Sequence, residues 1–188
     1  MLFCDKTYHK FDRPVLSLIK LNFPVQKFKI NKMSIYHLFF EQKLPQPVDA
    51  VWNFMANPRN LPLITPPDLG LEITSRDLPE KIHPGLIISY TVKPLFGIKT
   101  IWLTEIKHLK EQEYFVDEQR AGPYKLWHHL HKLTQYKDYV LMSDTVTYKP
   151  PYGYLGNAVN SLFIKKRLKE IFEFRRETLE EKFGKMKK

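Results

Sequence analysis

Several features that define common protein classes are missing from this sequence. Its 188 residues contain one cysteine, Cys4, so no intramolecular disulfide and no thiolate metal cage can form. A reducing compartment is the simplest expectation, and we predict a cytoplasmic location. No stretch approaches the roughly 20 continuous apolar residues that a membrane span needs, and the first residues lack the order of a secretory signal. These absences predict a soluble chain that is not exported.

The motifs of nucleophilic and nucleotide-dependent enzymes are also missing. The sequence has no Gly-x-Ser-x-Gly elbow and no glycine-rich phosphate loop, and it contains only seven glycines. We therefore predict no catalytic residues and no cofactor from motifs. An enzymatic role stays uncertain at this point, and a binding role is the stronger expectation.

Positive charge is abundant but unevenly distributed. The net charge is +10, and residues 1–32 carry seven basic and two acidic side chains, which is half of that excess. The remaining residues have an ordinary balance for a solvated surface, so we expect no nucleic-acid partner. Residues 1–32 also show no clear periodicity and precede Met33. We predict that 1–32 is an extension, either disordered or a mis-assigned start, and that 33–188 form the domain.

The rest of the chain predicts one strand, two short helices, a run of strands and one long helix. Residues 35–44 alternate as a strand, and Val48, Val51, Trp52 and Met55 recur at helical spacing after Pro47. A second helical turn is predicted over 60–64. Further strands are predicted over 71–74, 86–92, 98–109, 114–119, 125–133 and 139–148, and the final helix over 156–183 with its end at Gly184.

Short turns between the predicted strands indicate an antiparallel meander, because parallel strands need longer crossovers. A twisted antiparallel sheet of about six to seven strands curls, and one long helix across its concave side would close a space between them. The predicted fold class is therefore α+β.

Three segments resemble the START-like helix-grip superfamily, also called SRPBCC, and in particular its bacterial ligand-binding, polyketide cyclase and coenzyme Q-binding branches. They are 47–54 (PVDAVWNF), 122–131 (GPYKLWHHLH) and 144–155 (DTVTYKPPYGYL). The resemblance covers about residues 33–183. It implies a helix-grip fold in which a curved sheet wraps around the C-terminal helix. It also implies a cavity for an apolar molecule such as a lipid, quinone or polyketide.

Candidate pocket residues are large aromatic side chains and two histidines on the faces expected to point inward. They are Tyr90, Trp102, Trp127, His129, His131, Phe163 and Phe172. His129 and His131 share one strand face, so a neutral imidazole there could hold a ligand oxygen. A metal would need a third ligand, for which only His108 is a candidate, and we predict no metal site.

Carboxylates on the predicted strands are a second source of chemistry. Glu105, Asp117, Glu118 and Asp144 fit exposed strand faces, but any buried one could act as general acid or base beside a histidine. A separate group of basic residues (Lys165, Lys166, Arg167 and Lys169) begins the last helix. It fits a solvated face, or transient docking on an anionic membrane if apolar residues lie exposed beside it.

Three functions fit this sequence. The leading hypothesis is a non-enzymatic binder or carrier of a hydrophobic small molecule. The alternative is a cyclase- or dehydratase-like enzyme that uses a histidine with a tyrosine or a carboxylate in the same cavity. A surface-interaction module would be favoured if side chains filled the cavity completely.

Overall fold

An antiparallel sheet followed by a long helix forms the described part of the chain. The computed structural model describes residues 34–94, 97–151 and 163–186, all of which belong to one structural unit, Lys32–Lys188. In chain order the elements are β1 (Tyr36–Leu44), α1 (Val48–Met55), two 3₁₀ segments (Pro58–Ile64 and Pro67–Leu69), β2 (Glu72–Ile73), β3 (Ile87–Val92), β4 (Thr100–Lys110), β5 (Tyr114–Ala121), β6 (Leu126–Gln135), β7 (Val140–Lys149) and α2 (Lys165–Phe183).

The seven strands pair in the order β1-β7-β6-β5-β4-β3-β2. Each strand from β2 to β7 pairs with the next one along the chain, and β1 returns beside β7, always antiparallel. In β7 every second residue is buried from Val140 to Tyr148, as expected of a strand with one face on a core. The predicted meander is confirmed.

Two register shifts interrupt the pairing of β4 with β5. They fall between Leu103 and Thr104 and between Ile106 and His108. Such irregularities bend a strand and reset which side chains face inward. Ile106 is buried, whereas His108, two residues on, is exposed. His108 therefore cannot serve as the third metal ligand that the sequence offered.

The connection after β1 contains one α-helix and two 3₁₀ segments rather than two α-helices. The α1 helix follows Pro47 as predicted and buries Val51 and Trp52. The second predicted turn is the 3₁₀ segment Pro58–Ile64. Pro62 lies inside it, and because proline has no N–H to donate, an α-helical ladder cannot pass through this position.

The α2 helix packs its apolar side against the sheet. Leu168, Phe172 and Leu179 are buried, and the Phe172 ring stacks on Phe40 of β1 with the ring centroids 4.2 Å apart. The helix ends at Gly184, which adopts φ 95°, a left-handed conformation that favours glycine. The predicted beginning at 156 lies outside the described residues. A seven-stranded antiparallel sheet with a long helix packed on it confirms the α+β helix-grip architecture.

Tyr124 and Trp127 connect the two parts of the core. One buried cluster includes Trp52 and Leu179, and another includes Tyr148. The Tyr124 and Trp127 rings pack against both clusters.

Among the described helices, none is long and apolar enough to cross a bilayer. The extension predicted over 1–32 lies outside the described residues.

Candidate functional site

A cavity of about 190 Å³ is lined by residues of the sheet, the first helical segments and α2. At one end its wall is aromatic. The Trp102 ring lies 5.9 Å from Tyr90 and 5.2 Å from Trp127, measured between centroids, stacked on the first and edge-on to the second. The Tyr90 hydroxyl is 3.0 Å from the Thr104 hydroxyl, and burial raises the Tyr90 pKa. This phenol is therefore a neutral wall group.

Six of the seven residues proposed from the sequence line this cavity. They are Tyr90, Trp102, Trp127, His129, His131 and Phe172. The seventh, Phe163, is 47% exposed and borders a separate surface groove with Lys166. Its neighbour Ile164 is the buried residue, four positions before Leu168, so the inward stripe of the helix passes beside Phe163 rather than through it.

Beyond Trp127 along β6, at what we call the charged end of the cavity, lie five buried or nearly buried ionisable side chains, of which all but Asp144 line the cavity. Asp117 comes from β5, His129 and His131 from β6, Asp144 from β7 and Arg175 from α2. Strand register brings the first four together, because Asp117 lies opposite His129 and His131 lies opposite Asp144. We call these five residues the polar cluster.

Hydrogen bonds fix the proton positions in the polar cluster. The His131 Nε2 atom lies 2.7 Å from Asp117 Oδ2, and Arg175 Nη2 lies 3.1 Å from His131 Nδ1. A guanidinium can only donate, so His131 accepts at Nδ1 and donates from Nε2 to Asp117. The His129 Nε2–H donates to Asp144 Oδ1 over 3.0 Å.

Burial and neighbouring charges set the ionisation of the cluster. Burial, followed by the nearby His131, lowers the pKa of His129 to about 4, despite the opposing effect of the carboxylates. Burial alone would raise the pKa of Asp117, but the hydrogen bond from His131 and the surrounding positive charge lower it overall. For Asp144, burial is outweighed by the charge of Arg175 and by the hydrogen bond from His129, so its pKa lies well below the usual value.

Two buried N–H groups of the cavity lining have no hydrogen-bond partner within the part of the chain that the structure describes. They are Trp102 Nε1 and Arg175 Nε, and both residues are 8% exposed. An unpaired buried donor costs about 1–3 kcal/mol. Since both side chains line the cavity, an oxygen acceptor on a bound molecule would offset that cost.

Asp117, His129 and His131 can also offer metal-ligating atoms, one each, that all lie within 4.8 Å of one another.

The sequence indicated Asp117 only as a possible acid or base. Its partners in the cluster could not be identified until the strand pairing was known. Arg175 was missed, although a signal existed. It lies three residues after Phe172 and four before Leu179, on the buried side of a helical repeat.

Solved structures share this architecture. A START superfamily protein from Mycobacterium smegmatis aligns with TM-score 0.59 and 13% identity, covering 78% of this chain and 96% of its own. The ginseng major latex-like protein 151 from Panax ginseng aligns with TM-score 0.57 and 13% identity over 79% and 97%. The protein TTHA0849 from Thermus thermophilus gives TM-score 0.57 and 18% identity over 79% and 97%.

At these identities the similarity establishes the fold. The chain has the START-like helix-grip fold, and the resemblance found in the sequence is confirmed at that level. No family model and no curated protein sequence matches it.

Proposed function

We propose that this protein binds, and carries, a small and mainly apolar molecule that bears at least one oxygen acceptor. The observation that supports it is the cavity itself, whose lining includes aromatic walls and two N–H donors, Trp102 Nε1 and Arg175 Nε, that have no partner among the described residues. Apolar walls with a few placed polar groups are the usual composition of ligand sites. The cavity is not filled by side chains, which argues against a purely surface-directed role.

Cavity size narrows the ligand class. A volume of about 190 Å³ is below the range of roughly 300–1,000 Å³ for drug-sized ligands. It exceeds the cavity of about 150 Å³ that accepts benzene in an engineered protein core. We therefore favour a molecule of one or two rings, such as a short polyketide or a quinone head group, over a long-chain lipid.

Native mass spectrometry of the full chain, before and after organic extraction, tests whether a molecule co-purifies. A reproducible adduct of defined mass would support the proposal and identify the ligand class. The extracted protein is then titrated with 1-tetralone, with tetralin as its oxygen-free analogue, and with palmitate. We expect the ketone to bind at least about tenfold more tightly than tetralin, because it can pair the free donors.

A matched variant connects that preference to the cavity. Trp102→Phe keeps an aromatic wall but removes the Nε1–H, so the preference for 1-tetralone over tetralin should fall. Equal binding of the two compounds by the natural chain would refute the role of the unpaired donors. An absence of both a co-purifying molecule and any binding would refute the carrier function.

A second candidate function is a cyclase- or dehydratase-like activity in the same cavity. It is favoured by the His131–Asp117 pair, whose 2.7 Å hydrogen bond orients an imidazole and a carboxylate that both line the cavity. The His131→Asn variant separates the two functions. Both functions predict that this variant still binds the ligand. If the natural chain converts the ligand, an enzyme predicts that the variant loses that turnover, whereas a carrier has no turnover to lose.

We also propose a cytoplasmic location, no nucleic-acid partner and transient docking on anionic membranes. Docking is supported by the exposure of Phe163 next to the exposed Lys165 and Lys166, a combination of apolar and basic groups suited to a lipid interface. Co-sedimentation with phosphatidylserine vesicles, but not with phosphatidylcholine vesicles, would support it. Sedimentation with neither kind of vesicle would rule it out.

A further inference from the structure

We propose that Asp117, His129 and His131 bind a divalent transition-metal ion at the charged end of the cavity. Two imidazoles and one carboxylate form a ligand set that suits zinc and ferrous iron. The proposal is separate from the carrier function, because an apolar ligand can occupy the aromatic end with or without a metal.

Two of the three separations between the ligand atoms lie close to those expected around one shared ion. Asp117 Oδ2 lies 2.7 Å from His131 Nε2 and 3.5 Å from His129 Nδ1. Atoms bound to the same ion at about 2.1 Å are separated by roughly 3.0–3.4 Å for angles between 90° and 109°. The two observed separations lie just below and just above that range, and the two histidine nitrogens lie within 4.8 Å of each other, so side-chain rotations would bring all three atoms to one ion.

Proton counting gives an independent argument. All four ring nitrogens of His129 and His131 lie within 3.5 Å of a carboxylate oxygen, but a neutral imidazole carries a single N–H. One of the two nitrogens that lack a proton is His131 Nδ1, which faces Asp144 Oδ1; Arg175 Nη2 lies 3.1 Å from this nitrogen and 3.5 Å from this oxygen and offsets the repulsion between them. The other, His129 Nδ1, faces Asp117 Oδ2 with lone pairs on both atoms. A cation between these two atoms would replace repulsion with coordination.

Asp144 supports the site from behind. Its Oδ1 atom lies 3.0 Å from His129 Nε2 and 2.9 Å from His131 Nδ1, the two nitrogens that point away from the proposed ion. Metal-ligating histidines commonly donate their other N–H to such a carboxylate. On binding, His131 would release its Nε2 proton and carry one on Nδ1, donating to Asp144. Arg175 Nη2, 3.5 Å from Asp144 Oδ1, would remain paired with that carboxylate.

The charge of the cluster also suits a divalent ion. With both histidines neutral, two carboxylates and Arg175 leave one net negative charge in a buried region. A divalent ion changes it to one net positive charge. Three protein ligands leave at least one coordination position open, and since all three side chains line the cavity, an oxygen of a bound molecule can reach the ion there.

Cobalt titration of the full chain tests the proposal. The protein is purified without a metal-affinity step, stripped with a chelator and titrated with Co²⁺, whose visible absorption reports coordination geometry, with Zn²⁺ as a competitor. We expect one equivalent to bind, with ligand-field bands that Zn²⁺ abolishes. No stoichiometric binding would overturn the proposal and leave the cluster as a hydrogen-bonded ion network.

Variants locate the ion. Asp117→Asn and His129→Gln should each weaken Co²⁺ binding by about 100-fold or more, and Asp144→Asn by about 10–100-fold. His128→Asn is the matched control, because His128 lies on the same strand with its side chain on the opposite face, and it should leave affinity unchanged. Circular dichroism confirms folding of each variant.

Equal Co²⁺ affinity in the natural chain and in both ligand variants would overturn the assignment of these residues as metal ligands. Binding of 1-tetralone to stripped protein distinguishes failure here from failure of the carrier function.

Discussion

The two ends of the cavity share strand β6 but are stabilised in different ways. On β6, alternation directs Trp127, His129 and His131 to one face. Trp127 packs edge-on to Trp102 and gains stability from buried area, which is tolerant of small changes. The histidines depend on Asp117 and Asp144, so every member of the polar cluster needs its partners.

This contrast shows that burial alone does not define a role. A buried ion network contributes little net stability once desolvation is counted, but removing one member leaves a charge without compensation. In the proposed function, the aromatic end would set the size and shape of the ligand, and the charged end would set the polar contacts. Substitutions at each end should give separable effects on stability, ligand binding and metal binding.

The largest expected effect comes from Asp144→Ala in metal-stripped protein. It removes the carboxylate that pairs with Arg175 and His129, and the free energy of unfolding should fall by about 3–5 kcal/mol. Urea denaturation of the full chain measures it. The neighbouring Ser143→Ala is the control and should change stability by less than about 0.5 kcal/mol. A loss below about 1 kcal/mol for Asp144→Ala would contradict the interdependence of the cluster.

Acid should lower the free energy of unfolding of the metal-stripped protein, because buried groups of the polar cluster take up protons more readily in the unfolded chain. The folded pKa of His129 is about 4, below the unfolded value of about 6.5, so the unfolded chain binds the proton first and stability falls as pH drops from about 6.5 to 4. Asp117 and Asp144, whose pKa values are also lowered, act in the same direction at lower pH. The ionisable groups around His129 are these two carboxylates, His131 and Arg175.

We expect a loss on the order of 2 kcal/mol between pH 7 and pH 4.5. Urea denaturation across that range measures it, and His129→Asn should remove the part above pH 4. A pH-independent stability of the natural chain would show that His129 is not buried in its neutral form.

The sheet and the final helix follow from local patterns, whereas the polar cluster does not. Alternation predicts the strands, and a helical stripe predicts the buried side of α2. The pairing of His131 with Asp144 depends on strand register, which one sequence does not specify. The β4 irregularity before His108 likewise reverses an inward position that simple alternation assigns. Arg175 could have been found from its helical spacing, but a charged residue on an apolar stripe reads as an interruption until its partners are known.

A narrowing substitution at the aromatic end should separate ligand binding from metal binding. Val92 is buried and lines the cavity, and Val92→Phe places a larger side chain in that space. Binding of 1-tetralone should weaken at least about tenfold, with a stability change of about 1–3 kcal/mol. Calorimetric titration measures it. Co²⁺ affinity should be unchanged, and Asp117→Asn should show the reverse pattern. If either variant lost both 1-tetralone binding and Co²⁺ binding, the two ends of the cavity would not act separately.

The smallest effect is expected at Phe163, which the sequence did not distinguish from Phe172. Phe163 is 47% exposed and Phe172 is 6% exposed, and only Phe172 lines the cavity. Phe163→Ala should change the free energy of unfolding by less than about 0.5 kcal/mol and leave 1-tetralone binding unaltered, as measured by urea denaturation and calorimetry. A weakening of ligand binding would show that Phe163 contributes to the cavity in solution. Because both residues are phenylalanine, this comparison isolates position from chemistry: Phe172 on α2 lines the cavity, whereas Phe163, just before α2, does not.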